Sequence, residues 1–444
     1  MIGKIDKNPQ LEMFRTPLVH FINESHELVK LSKKIDWDQL EREFEVYYCQ
    51  NNGRPGIPIR LITGIVLLKR MFNESDESVL DRWIENPYWQ FFCGEVYFGH
   101  DLPFDRTELI KFRRKVGDEG AEKLLKMSVQ LFPEKEFQED EVLIDSTVQE
   151  KNITYPTDAK LHKRIIEKCR KLARIEKIKL RKVHKKELKQ LMIDQRFHDH
   201  PKRKKKAHAA ARRIKVIAGS IVRDVERKMN NVQKEKYAAK MDIFKKVLKQ
   251  KKNSKNKIYS LHQPYVSCIA KGKEGKKFEF GNKSSIVKTS KSGIIVGAMA
   301  FMENIYDGKT LLPQLEQTER ITVHKPKFGI ADRGYKGQKN VNGVQIIIPS
   351  PLPKSENNYQ RQKIKKRFRA RAGIEPVIGH LKQDHRMSRN FLLDAIGDKV
   401  NTLLAAAGFN LRKMLQRLKA EALQIFTHFY RLIFFVKWRL SFVL

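Results

Sequence analysis

Acidic residues are scarce in this 444-residue chain: 51 Asp and Glu stand against 90 Lys and Arg, a formal net charge of +39. Self-repulsion on that scale disfavours a compact state unless a polyanion neutralises it. Nucleic acid is the usual polyanion, and an anionic membrane surface is the other. Cysteine is scarce too. Cys49, Cys93, Cys169 and Cys268 lie far apart with no CxxC pair, so neither a disulfide framework nor a zinc site is indicated, and a reducing cytosol fits. There is no GxxxxGK[ST] loop to cradle a nucleoside triphosphate, and no nucleotide cofactor is expected. The opening MIGKIDKNPQ lacks the apolar core of a signal peptide. The tail over 421–444 is apolar, but His428, Arg431, Lys437 and Arg439 interrupt it. No run reaches the roughly 20 apolar residues of a membrane span, so the tail reads as a packing or oligomerisation helix. Hydrophobic content of 41% is ordinary for a globular fold and excludes a disordered basic tail.

Residues 1–135 read mainly as helices. IPIRLITGIVLLKRMF carries apolar residues at helical spacing, and SVLDRWIENPYWQFFCG comes after an acidic linker. This all-α N-terminal segment suits a DNA-binding domain or a supporting bundle. Residues 160–257 differ in kind: 160–215 alone hold 23 Lys or Arg against 5 Asp or Glu. Ile165, Cys169, Leu172, Leu180, Val183 and Leu191 keep a helical spacing, as do Ile214, Ile217, Ile221 and Val225. Two long amphipathic helices turning at Pro201 would form a basic helical hairpin. The one-signed excess points to nucleic-acid contact, centred on Lys202, Arg203, Lys204, Lys205 and Lys206. From Tyr259 the pattern turns to strands and turns, then a helix, two further strands, a basic helix and a long amphipathic helix. Together these make an α/β domain over 136–420, split by the basic insertion.

Two apolar runs share an odd ending: EVLID closes on Asp145 and FGIAD on Asp332. One such Asp is usually structural, capping the next turn. Two are more informative, because functional groups gather beyond the carboxyl ends of strands in open α/β sheets. Adjacent carboxylates are unfavourable unless a cation neutralises them, and oxygen-only ligands point to Mg²⁺ or Mn²⁺. Glu375 is the best third carboxylate. In RFRARAGIEPVIGHLK, Arg371, Glu375 and Lys382 fall within roughly 40° on one helical stripe, although Pro376 disfavours a helical residue before it. Arg333 and Tyr335, beside Asp332, would hold DNA phosphate or stabilise the turn. Lys271, Lys277 and Lys283 flank the middle strands and are candidates to line a DNA channel.

The blocks IDSTVQEKNITYPTDAKL, FGIADRGYKG and RAGIEPVIGHLK closely resemble the DDE transposases of bacterial insertion sequences, specifically the insertion-sequence-five family. The spacing Arg371-x3-Glu375-x6-Lys382 is similar to that family's signature, with Phe368 where a Tyr usually stands. The resemblance covers most of residues 50–420. It implies a ribonuclease H-like mixed sheet carrying Asp145 on its first strand, Asp332 on its fourth and Glu375 on a later helix. It also implies two Mg²⁺ or Mn²⁺ ions, cut-and-paste chemistry on the terminal inverted repeats of the encoding element, double-stranded DNA as partner, a homodimer on DNA, and a bacterial cytosolic location. Two other readings stay open: a decayed or repurposed DNA-binding protein without catalysis, and another ribonuclease H-like nuclease acting on branched DNA.

Overall fold

The structure is a computed structural model that describes residue 3 and residues 14–49, 56–251, 253–270, 277–350 and 357–440, with side chains as far as residue 422. The chain divides into two compact units, one of residues 1–149, 283–301 and 305–444, the other of residues 150–282 and 302–304.

The first unit opens with helices α1 (Glu27–Lys34), α2 (Trp37–Glu45), α3 (Ile59–Met71), α4 (Ser78–Glu85), α5 (Pro87–Phe92), α6 (Thr107–Gln130) and α7 (Glu134–Phe137). Polar caps start some of them: the Asp36 side chain accepts from Gln39 N at α2, and Asn86 accepts from Trp89 N just ahead of Pro87 at α5. Every residue of α3 except Arg60 is buried, so this helix is enclosed on all sides rather than amphipathic.

Strand β1 (Glu141–Lys151) comes next, its last two residues counted with the second unit, and the chain returns to the first unit at Lys283 within β3 (Phe278–Thr289), followed by β4 (Ile295–Phe301), helix α12 (Leu311–Thr322), β5 (Phe328–Ile330), β6 (Asn340–Val341) and β7 (Val344–Ile347). Helices α13 (Asn358–Arg371) and α14 (Glu375–Gln383), strand β8 (Arg389–Asn390) and helix α15 (Asp394–Leu440) complete it. With β2 (Ser267–Ala270), the strands order as β2-β3-β1-β5-β7-β6, while β4 pairs with β3 and β8 with β1. β1, β5 and β7 run parallel, whereas β2–β3, β3–β4 and β6–β7 are antiparallel. The fold is therefore mixed α/β with a mixed sheet, as expected of a ribonuclease H-like core.

One apolar cluster runs from Leu28 on α1 through α3 and α6 to Ile286, Ile295 and Leu418. Its axis is α15. Leu404, Ala405, Ala406 and Ala407 are buried there, and Gly408 lies so close to α3 that a Cβ would sit 2.7 Å from Arg70 Cβ. Asn410 Oδ1 accepts from Ile295 N at 2.9 Å and its Nδ2 donates to Ile295 O at 2.8 Å, tying α15 to β4 inside the core. The helix continues without a break to Leu440. No helix among the described residues is long and apolar enough to cross a membrane.

The second unit contains α8 (Asp158–Ile175), α9 (Lys185–Asp194), α10 (Lys204–Lys228) and α11 (Asn231–Lys249). Ile165, Cys169 and Leu172 of α8 pack with Ile214, Ile217, Ile221 and Val225 of α10 around a separate core. Periodicity alone predicts two long helices here, and the described residues form four. The first breaks after Ile175, where Lys177 takes a left-handed φ of 54°, and Val183 stands 51% exposed in the connecting segment. The second breaks at Asn230, whose side chain forms a capping box with Gln233 and starts α11.

Candidate active site

Register places the two aspartates. β1 pairs with β5 so that Leu143 lies opposite Ile330. Asp145, still on β1, and Asp332, just past the end of β5, each stand two residues beyond that pair, and β5 is the fifth strand in chain order where the fourth was expected. The strand β1 does not stop at Asp145, however; it runs on to Lys151. The polar residues that look like a loop in sequence are buried: Thr147 is 4% exposed and Gln149 fully enclosed. Gln149 Nε2 donates to Thr402 Oγ1 at 2.7 Å and to Asp398 O at 3.1 Å, and Asn401 Nδ2 donates to Gln149 Oε1 at 2.5 Å. Paired in this way, an amide can extend a strand into the interior.

The third carboxylate arrives from a helix. Glu375 is the first residue of α14, and Arg371 is the last of α13, separated from it by a 3₁₀ turn over Ala372–Ile374. Pro376 accounts for the break, since it fits the first turn of a new helix but not the interior of a continuous one. Beneath the acids, Leu143, Ile330 and Ile374 form a buried apolar cluster, with Ile347, Ala370 and Ile378 packed against it. Each of the three lies within two residues of one acid, so a single small core fixes two strands and a helix relative to one another.

The three acids meet at one cation. Arg371 Nη2 is 3.2 Å from Asp145 Oδ2 and 3.8 Å from Asp332 Oδ2, and its Nη1 is 3.1 Å from Glu375 Oε1. Asp332 also caps the turn after it, its Oδ1 accepting from Gly334 N at 2.8 Å. Asp145 Oδ1 accepts from Ser146 N at 2.7 Å. Glu375 is the most open of the three, with 61% of its side chain exposed.

A fourth carboxylate, Asp307, stands beside them. Its Oδ1 accepts from Ser146 Oγ at 2.8 Å and lies 2.9 Å from Lys283 Nζ. A Cβ on Gly334 would come within 2.9 Å of Asp332 Oδ1 and 3.1 Å of Asp307 Oδ2, so glycine is what lets the two acids flank this turn. Nothing in NIYDGKT marks Asp307 in the sequence, because Asp before Gly is ordinary turn chemistry.

Two expected DNA contacts have other occupations. Lys283 is 9% exposed, and its ammonium is taken by Asp307 and by Ile305 O at 2.6 Å. Tyr335 is fully buried behind the site, and burial, with Asp307 and Asp145 adding to it, pushes its phenol pKa up. Neither side chain is open to a phosphate. Arg333 and Lys277 are exposed, and Lys382 is half-buried on α14. Lys202 and Arg203 lie in the turn before α10, and Lys204, Lys205 and Lys206 in its first turn, all exposed. Lys271 falls outside the described residues.

Four carboxylates, Asp145, Asp307, Asp332 and Glu375, thus gather about Arg371 and Lys283. All the acidic donors are hard oxygens, so the chemistry of the set fits a divalent cation such as Mg²⁺. Among the described residues no three acidic, His or Cys groups stand close enough to share a metal ion; the cation the triad shares is the Arg371 guanidinium.

Known proteins share parts of this chain. A family model described as a transposase domain (DUF772) matches residues 17–115, and one described as a transposase DDE domain matches residues 196–411. Asp332 and Glu375 lie inside the second match, and Asp145 lies between the two. A Rhizobium meliloti protein named "Uncharacterized protein ORF8 in nfe locus" is 35% identical over 193 residues, 43% of this chain and 93% of that protein. No solved structure matches. With two transposase models in sequence along it, the chain belongs to the DDE transposases of insertion sequences.

Proposed function

We propose that this transposase binds the terminal inverted repeats of its own element and cuts and joins DNA there, with Asp145, Asp332 and Glu375 as the catalytic acids. The observation that carries the reading is their convergence from β1, the end of β5 and the start of α14 on one guanidinium. Asp145, Asp332 and Glu375 would hold divalent ions, two in number by the family's chemistry. When bound, such ions activate a water or 3′-hydroxyl and stabilise the leaving oxygen. The chain's own residues do the rest. Lys283 holds Asp307 in place, Asp307 orients Ser146 beside Asp145, and Gly334 keeps the Asp332 turn tight. Arg371 among the acids, Arg333 next to Asp332 and Lys382 further along α14 would supply phosphate-binding groups.

In this reading residues 1–135 and the basic helices of residues 160–257 hold DNA away from the chemistry, the latter through Lys202, Arg203, Lys204, Lys205 and Lys206, while Lys277 beside β3 lines the DNA channel. Holding two element ends together calls for a homodimer on DNA, and the cytosol is the place of action. The test is cleavage of labelled DNA carrying the element's ends, with Mg²⁺ or EDTA. Nicking at the element boundary should require metal and fall more than about a hundredfold in Glu375→Gln. Undiminished cleavage by that variant removes Glu375 from the site. Tight end binding with no cleavage under any metal replaces this function with a DNA-binding one.

A further inference from the structure

We propose that a cavity of about 510 Å³ at the end of α3 binds the phosphate group of a DNA strand. It lies in the first unit, walled by α3, by the start of α6 and by the segment around β8. The proposal rests on an imbalance of charge. Lys69, Arg70 and Arg113 are 6%, 2% and 5% exposed, and Asp76 is the carboxylate at their centre. Asp76 is already committed: it pairs with Lys69 and receives two hydrogen bonds from Arg113, at 2.8 and 2.7 Å. Glu77, at the rim, is committed to Arg106.

Among the described residues no carboxylate is in hydrogen-bond or ion-pair contact with three arginines at the cavity, although Asp76 acts on Arg70 at longer range. Arg70 Nη1 donates to His385 O at 3.3 Å, and its buried Nε has no partner. Arg386 Nη1 donates to Asn73 O at 2.9 Å. The acid it acts on at longer range, Glu74, is already bonded to Ser78 and Arg82. Arg389 is exposed and pairs with no acid among the described residues. A buried cation whose nearest acid is already bonded to two other cations is under-neutralised, and a bound anion relieves that cost. Guanidinium groups favour phosphate because their forked donors match its oxygens in pairs.

The apolar side of the cavity narrows the ligand further. Phe391 is 58% exposed and Ile110 42% exposed on its wall. An exposed ring beside arginines suits a phosphate that carries a sugar and base rather than a bare anion. A DNA backbone supplies that chemistry, and this assignment rests on the transposase reading.

The experiment uses the full chain, without added metal, and a labelled duplex of arbitrary sequence, so its result does not depend on cleavage or on end recognition. In the double variant Arg386→Ala and Arg389→Ala, the slope of log affinity against log salt should fall by about 1. Arg389→Ala alone removes an exposed side chain with no ion pair, and keeps the measurement readable should the double variant unfold. In parallel, inorganic phosphate is titrated and monitored by ³¹P line broadening. Broadening by wild type that the variant loses, with an unchanged DNA slope, assigns the cavity to free phosphate instead of DNA. An unchanged slope with no broadening overturns the proposal.

Discussion

Arg371 donates to Asp145 across 226 residues of sequence, at 3.2 Å. The same guanidinium reaches Glu375 and Asp332, so one side chain stands where the three acids would otherwise repel each other. A guanidinium and a divalent ion are alternative answers to the same excess of negative charge. Replacing Arg371 with Ala should therefore tighten Mn²⁺ binding by calorimetry, on the order of tenfold or about 1.4 kcal/mol. Strand cleavage by the same variant should fall, since a phosphate-binding group is lost. Weaker Mn²⁺ binding in Arg371→Ala would mean that the arginine holds the acids in position instead of competing for them.

Lys283 and Asp307 make a second cation–acid contact, in the wall of the site. Lys283→Met leaves a half-buried carboxylate without its cation, a change expected to cost about 1 to 2 kcal/mol. Adding Asp307→Asn removes the stranded charge and should recover part of that loss in urea melts. Affinity for duplex DNA should be unchanged in either variant, because the ammonium is spent inside the protein. A clear loss of DNA affinity in a folded Lys283→Met protein would return this lysine to the DNA surface.

The convergence of Asp145, Asp332 and Glu375 was legible in the sequence because each sits beside its own apolar anchor: LID, GIAD and GIEP put Leu143, Ile330 and Ile374 within two residues of them. The strands after Tyr259 were legible by alternation and turn residues. The second half of β1 was not, because Thr147 and Gln149 are polar and no local pattern shows that Asp398 and Thr402, some 250 residues away, take up the Gln149 amide. Asp307 and Lys283 were hidden for the same reason: a turn Asp and a strand Lys acquire meaning only through long-range pairing. The breaks at Lys177 and Asn230 depend on single left-handed or capping residues, which an averaged helical period does not register.

Lys69 gives the fold an unusual pH dependence. Burial, joined by the charge of Arg113 and opposed by Asp76, lowers its pKa from an ordinary 10.5 to about 7. Between pH 7 and 10.5 the unfolded chain then holds more protons at this position than the folded one, so stability from this group rises with pH. Below pH 7 its contribution is flat. The thermal midpoint of wild type, relative to Lys69→Met, should climb from pH 7 to pH 10. Parallel curves for the two proteins would show that Asp76 keeps Lys69 charged throughout.

Lys204, Lys205 and Lys206 occupy the first turn of α10, where the helix dipole favours acids and opposes cations. Lys206 has a partial remedy in Asp194, at 3.2 Å. A run of lysines at the wrong end of a helix weakens it by a few tenths of a kcal/mol each, and the proposed nucleic-acid surface is a function that would offset that cost. Changing all three to Gln should therefore separate stability from binding. The melting temperature should hold or rise, by up to about 1 kcal/mol in stability. The slope of log DNA affinity against log salt should fall by about 2 to 3 as phosphate contacts disappear. If the salt slope is unchanged while stability rises, the lysines face solvent alone and are removed from the proposed DNA surface.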